Sequence, residues 1–505
     1  MIGKAFFGNL AESANPVFIK EMRQYFQNRR MVLFMGILLL AEFICTLFFT
    51  SAADYSGDGD AGVTFFLLIV FGGAILSVII CSLGAEQRFA EERSDKELNY
   101  AMLTTLKPAS IILGKLEGAL VMILCIFSML MPFLTAAYFM RGLSMAALLL
   151  VLFMLPMLLL ATLAGILAGS FGKRWINVLY IVGLLNAGFF LVPVGFELAE
   201  ELMDGAALDP EFWLALGIEY ALSFLGGILI FLLSIAVIAP PKSNRLFATK
   251  IYLFLLPFLT LAVLAAWYLL DSSTIPEEAV LILEDLFITG SFGVLLLIAL
   301  FEPPTGGIRI YMKCPRSFFG RFFHFLFSTG FPGSLLLALP FPLLPAAVLT
   351  ALSLGTHISA STRPITYAFI CVLVSALGYV LLALLLSWRT KLTVAPWLWI
   401  VIFQVAGNVA VWVTVATNSG FDDLPDVLRV LFMLLSPIYA FVEGAEASGY
   451  ARISPIPYWG MFASVAITGI LFVLMLPFIF RTFKLHRRPD DTDAIKTPTA
   501  EMLKK

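Results

Sequence analysis

The feature that most constrains this chain is a recurring apolar run about twenty residues long, separated from the next by segments that carry most of the charge. A helix needs a run of that length to cross roughly 30 Å of hydrocarbon. Composition points the same way. Of 505 residues, 60% are hydrophobic and only 13% are charged, and the mean hydropathy is +0.96. A soluble chain of this length divides into two or three domains, each needing a polar exterior that so few charges cannot cover. The net charge of −2 carries no basic bias toward nucleic acid. The expected fold class is an all-α polytopic membrane protein of about twelve transmembrane helices.

The spans fall at 31–50, 61–83, 118–140, 145–171, 176–196 and 218–239, then at 251–270, 280–301, 333–354, 365–388, 394–418 and 456–480. Glu284 and Asp285 interrupt the eighth, and Pro340, Pro342 and Pro345 crowd the ninth. With both termini in the cytoplasm, the cytoplasmic segments hold 28 of the 32 Lys and Arg residues. Only Arg141, Arg363, Arg429 and Arg452 fall outside, which is the positive-inside asymmetry. Acidic residues lean outward, at Asp54, Asp58 and Asp60 and through 197–211. The halves mirror each other: six spans each, the largest cytoplasmic loop between the second and third, and the longest outer segment (197–217 and 419–455) between the fifth and sixth. The reading is a cytoplasmic amphipathic helix in 1–30, a six-span module over 31–245 with its loop at 84–117, a second module over 246–481 and a cytoplasmic tail over 482–505.

No signal peptide is expected, because the first apolar run exceeds the usual h-region. By this topology none of the five cysteines (Cys45, Cys81, Cys125, Cys314, Cys371) is extracellular, so no disulfide framework is expected. The histidines, His324, His357 and His486, lie far apart in sequence and show no metal-ligand spacing. No metal site, cofactor or catalytic residue is therefore assigned.

Two polar segments carry the functional reading. Before the first span, Asn15 suits an N-cap and Pro16 the first helical turn. Phe18, Ile19, Met22, Tyr25 and Phe26 then share one face, with Lys20, Arg23, Gln24, Gln27 and Arg30 around the rest. Such a helix lies in the membrane interface, either as a simple anchor or as a functional element. After the second span, residues 84–115 begin as a charged helix in which Glu92 and Lys96, and Arg93 and Glu97, stand four apart. Leu98, Met102 and Leu103 give it an apolar edge, Lys107-Pro108 breaks it, and Ser110 can cap the helix of the third span. This is either a solvated charged loop or a docking surface for a soluble partner.

The stretch Asn15-Pro16…Lys20-Glu21-Met22-Arg23 resembles the interfacial helix of ABC-2 type transporter permeases. The stretch Glu92-Arg93…Glu97…Met102-Leu-Thr-Thr-Leu-Lys-Pro108…Leu113-Gly114-Lys115 is similar to the coupling region of that family. The resemblance covers about residues 10–245. It implies a permease without ATPase activity of its own, coupled to a separate ABC ATPase subunit through Glu92, Arg93, Lys96 and Glu97, with Pro16, Phe18, Met22 and Arg23 in the interfacial helix. Ser94-Asp95-Lys96 departs from the small, Gly-containing step usual after the Glu-Arg pair. The corresponding loop of the second half, 302–321, keeps basic and aromatic residues but lacks the acidic-Arg helix.

The sequence has no phosphate-cradling Gly-x4-Gly-Lys-Ser/Thr loop at either Gly-Lys pair: Ala109 and Leu167 stand where the first glycine belongs, and Leu116 and Arg174 follow the lysines. Glu42 sits midway along the first span, where a lipid-facing carboxylate costs a few kcal/mol, so it is expected to face protein or water. It is either a pathway-lining group or a hydrogen-bonded structural one. Glu284 and Asp285 are placed near the outer surface, and Asn186, Gln404 and Asn408 as interhelical hydrogen-bonding groups. Gly165 and Gly169 form a Gly-x3-Gly pair suited to close helix packing.

The leading expectation is an exporter permease in a bacterial inner (plasma) membrane, contacting lipid, either pairing with a second copy or another permease subunit or acting alone. An ion-coupled secondary transporter using Glu42 is the alternative, although the major-facilitator loop signature is missing. A membrane-embedded transferase is a third, although no acidic or histidine cluster is evident at one face. The topology has a direct test. In a cysteine-free background, single cysteines at positions 56, 205 and 421 are expected to react with an impermeant thiol reagent in intact cells. Cysteines at 95, 244 and 312 are expected not to, and labelling at 95 contradicts the orientation.

Overall fold

The computed structural model describes residues 15–27, 29–56, 60–94, 106–139, 150–172, 176–178, 180–182, 184, 210–240, 243–270, 277–302, 308–345, 348, 363–390 and 456–486. They are helical throughout, with no strand among them. Among the described residues, six helices are long and apolar enough to cross a membrane, seven if one sharply bent pair is a single span, which marks a multi-pass membrane protein. The expected span at 394–418 and most of that at 176–196 lie outside the described residues. The chain forms two compact units, Met1–Ala239 and Pro240–Lys505.

In unit 1, α1 (Pro16–Gln27) precedes α2 (Arg29–Ser56). Asn15 caps α1 as expected, its Oδ1 accepting from Val17 N at 3.1 Å. Along α2, Leu33, Leu40, Phe43 and Phe48 are exposed. Leu38 and Glu42 are buried on the opposite side, with Met35, Cys45 and Phe49 packed toward the core. An exposed apolar face of this kind is what lipid solvates.

Next come α3 (Asp60–Ser77), a π-helical turn (Val78–Leu83) and α4 (Gly84–Ser94). The charged helix is thus a continuation of the second span through a widened turn, with no intervening loop. α5 (Pro108–Phe139) starts ten residues before the expected span, because Pro108 opens the helix and Ile111 N bonds back to Lys107 O at 3.3 Å. α6 (Leu150–Phe171) and α7 (Pro210–Ile238) complete the unit's named helices. α3 packs on α5, and α6 packs on α7, α4 and the π turn. Phe65, Phe66, Met122 and Ile126 are buried in the α3–α5 core.

The Gly165–Gly169 pair explains how α6 approaches so closely. A Cβ at Gly165 would stand 2.5 Å from Ser82 O, and one at Gly169 would stand 2.4 Å from Glu86 O. Any side chain larger than hydrogen would push α6 off the π turn and α4. The helix stops at Gly172, whose φ of 61° falls in the left-handed region.

Unit 2 contains α8 (Phe247–Leu270), α9 (Glu277–Phe301), the short α10 (Ile308–Met312), α11 (Phe318–Phe327), α12 (Phe331–Ala338) with a 3-10 turn at Phe341–Leu343, α13 (Arg363–Thr390) and α14 (Ile456–Leu485). α13 and α14 pack along each other, α8 packs on α9, and α9 on α12 and α13. The expected ninth span opens as a break: Phe318–Phe327 and Phe331–Leu343 meet at 94°. A Cβ at Gly333 would stand 2.2 Å from Phe325 O, so glycine lets α12 fold back against the end of α11. Glu284 and Asp285 are 0% and 1% exposed, buried inside the unit.

Candidate functional site

α1, α4 and α5 meet in unit 1 around one buried cation. Lys115 is 5% exposed, in the second turn of α5. Its Nζ lies 2.5 Å from Glu21 Oε1 on α1, 2.8 Å from Glu92 Oε2 on α4 and 4.8 Å from the centre of the Phe89 ring. The other oxygen of Glu92 accepts from Lys20 Nζ at 2.7 Å. Arg88 approaches Glu21 Oε2 at 4.0 Å and lies 3.6 Å over the ring of Tyr25, itself buried. Two carboxylates are thus shared among three cations, with two aromatic faces taking up the excess positive charge.

The backbone makes this possible. A Cβ on Gly114 would lie 2.8 Å from Phe18 N and from Val17 Cβ, and one on Gly118 would lie 3.0 Å from Glu21 Cβ. The two glycines, one turn apart, form a flat strip on α5 into which α1 settles. Asn15 Nδ2 donates to Ser110 O at 2.6 Å and ties down the leading end. α1 therefore turns a face built on Glu21 and Tyr25 toward α5. Phe18 and Met22 are half-buried, while Pro16, Arg23 and Phe26 are exposed. Of the apolar face read from the sequence, Tyr25 is buried, Phe18, Ile19 and Met22 are half-buried, and Phe26 is exposed.

Glu92 and Arg93 turn toward their own unit. Burial alone would raise the Glu92 carboxyl, but Lys115, with Lys20 in support, holds it below the ordinary glutamate range. Arg93 Nη1 donates to Ser170 O in the last turn of α6, and its side chain lies beside Gly172. It thus satisfies a helix-terminal carbonyl and complements the helix dipole. On the outer side of α4, Gln87 and Glu91 are exposed. Lys96 and Glu97 lie outside the described residues, as do His357, Asn186, Gln404 and Asn408. Glu42 is buried against the core, and its Oε2 has no hydrogen-bond partner among the described residues.

Unit 2 holds its own buried pair. Lys250, fully buried at the start of α8, bonds Glu302 Oε2 at 2.8 Å and Ser328 O at 2.6 Å, and Ser334 Oγ donates to the same carboxylate oxygen at 2.6 Å. The sequence reading reached neither pair, since it weighed Lys20, Glu21 and Lys115 only as parts of motifs and Lys250 and Glu302 only as loop residues.

Unit 2 also brings together three side chains that sequence spacing kept apart. His324 Nδ1 and His486 Nε2 lie 2.8 Å from each other, and Cys314 Sγ is beside them. Burial, with His324 and Arg321 adding, pushes His486 down to about 4, so its ring is neutral at pH 7. Comparison with protein-family models, with curated proteins and with solved structures finds no match.

The Glu92 pairing sets a pH dependence. A carboxyl lowered on folding contributes fully above the 4.5 of an unperturbed glutamate, and that contribution fades as pH falls through the lower folded value. Unfolding in mixed detergent micelles is expected to show Glu92→Gln destabilised by about 1–3 kcal/mol at pH 7. The gap to wild type should close in acid. A constant gap from neutral to acid pH means that Glu92 is not ion-paired.

Proposed function

We propose that the chain is the permease of an ABC-2 type exporter, a twelve-span protein with both termini in the cytoplasm of a bacterial inner membrane, energised by a separate ATPase subunit. The observation that supports this reading is the ion-paired junction of α1, α4 and α5, with Arg93 extending it to α6. A soluble motor that pulls on a permease needs a stiff element at the membrane face, coupled to several spanning helices at once. α4 is such an element. It continues the second span, is held to α1 and α5 through Glu92 and Lys115, and reaches α6 through Arg93. A force on its outer side reaches α1, α5 and α6 through short polar contacts, and α3 through continuous helical backbone, rather than through a slack loop.

The inward turn of Glu92 and Arg93 assigns them to transmission. Docking falls to the outward positions, Gln87 and Glu91. The lack of a phosphate-binding loop in the sequence accords with a partner that hydrolyses ATP. The ion-coupled alternative rests on one observation, the buried Glu42 carboxylate with an oxygen unpartnered among the described residues. A carboxylate of that kind in a membrane helix suits a proton or cation site.

Co-expression with ABC ATPase subunits from the same genome, followed by purification and an ATP-hydrolysis assay, separates the two. Gln87→Lys with Glu91→Lys is expected to cut retained ATPase at least about tenfold, since mismatched charge at an interface costs several kcal/mol. Membrane insertion should stay unchanged. Retention of the ATPase by the double variant contradicts docking on α4. Transport driven by an ion gradient without any ATPase, and lost in Glu42→Gln, favours the alternative.

A further inference from the structure

We propose that Cys314, His324 and His486 form a three-ligand site in unit 2 for a thiophilic divalent transition-metal ion of the Zn2+ class. The donors come from three separate elements. Cys314 follows α10, with its N bonded to Tyr311 O at 3.1 Å. His324 lies in α11, which is capped by Ser317, whose Oγ accepts from Gly320 N at 3.1 Å. His486 closes α14, its N bonded to Thr482 O at 3.0 Å. The backbone at all three positions is thus held by helical or turn hydrogen bonds.

The spacing fits. One donor atom from each residue lies within 4.8 Å of the other two, and the His324–His486 nitrogens are 2.8 Å apart. Metal–nitrogen and metal–sulfur bonds of about 2.0–2.3 Å in tetrahedral geometry place donor atoms about 3.3–3.7 Å apart. The observed separations bracket that range. Loading the site requires the imidazoles to part by about 0.5 Å and the sulfur to close by up to about 1 Å, both within the reach of χ rotation.

The donor set selects the ion. Two imidazoles and a sulfur with no carboxylate suit a borderline or soft ion, and not Mg2+ or Ca2+, which take oxygen ligands. Cys314 and His486 are buried. Aromatic rings surround the cluster: Tyr311 and Phe325 lie 5.2 and 5.3 Å from the His486 ring, and Phe483 lies 5.2 Å from Phe325. Such a jacket limits solvent, while a cavity of about 10 Å³ beside His486, bordered by Ser328 and Thr329, has room for about one water. Binding displaces the Cys314 thiol proton to solvent: M2+ and R–SH give R–S–M+ and H+. The ion would clip the end of α14 to the α10–α11 segment.

Without metal, the same geometry makes a plain His324–His486 hydrogen bond, with Cys314 Sγ 3.8 Å from His486 O. Co2+ distinguishes the two. The full-length chain, purified in detergent, reduced and stripped with chelator, is titrated with Co2+ and read by absorption. One equivalent is expected to give a near-ultraviolet thiolate-to-cobalt band with intense tetrahedral visible bands, bleached by Zn2+. Cys314→Ser should lose the near-ultraviolet band. His486→Gln should weaken binding at least about tenfold, and Cys45→Ser should leave the spectrum unchanged. Wild-type protein that gives no thiolate band, or a band that persists in Cys314→Ser, overturns the site.

Discussion

The organisation of unit 1 depends on what happens to the ammonium group of Lys115. Removing a cation from water costs several kcal/mol even after the surroundings relax, and attraction offsets that only when the geometry is close. Lys115 meets that condition twice, with carboxylates at 2.5 and 2.8 Å. Those acids belong to α1 and α4, so solvating one lysine internally requires all three helices to be in place together. Gly114 and Gly118 flank the lysine and give α1 the space to deliver Glu21. The glycines are therefore part of the electrostatics.

The same logic recurs in unit 2, where Lys250 is fully buried and satisfied by Glu302 and Ser328 O. A buried pair adds little net stability over an apolar equivalent, yet losing one partner is strongly destabilising. Such pairs specify geometry more than they add energy, which suits a membrane protein whose helices would otherwise slide on uniformly apolar faces. Small residues do the complementary work: α6 meets the π turn at Gly165 and Gly169, and α12 meets α11 at Gly333.

How much of this was legible in the sequence follows from the range of each signal. Helix position is written in local hydropathy, so long apolar helices and the Asn15 cap could be read directly. The Gly165–Gly169 strip was readable for the same reason, because both glycines lie on one helix. The break at 94° between α11 and α12 was only hinted at by the prolines near 340, since the bend is set by the contact of Gly333 with Phe325 O. The polar clusters were not readable. Glu21 and Lys115 are 94 positions apart, and His324 and His486 are 162 apart. A charged residue in a loop looks solvated until another element is known to cover it, which is why Glu92 and Arg93 read as outward-facing while their partners sit within the unit.

The most direct test is a double-mutant cycle on Glu21 and Lys115. Glu21→Gln, Lys115→Met and the combined variant would be unfolded in mixed detergent micelles at neutral pH, with mutation of the exposed Gln24 as a reference. If the ion pair seats α1 on α5, the two substitutions are coupled by about 1–3 kcal/mol, with the double variant less damaged than the sum of the singles. Additive effects would contradict a buried pair and remove the physical basis for joining α1, α4 and α5 into one element.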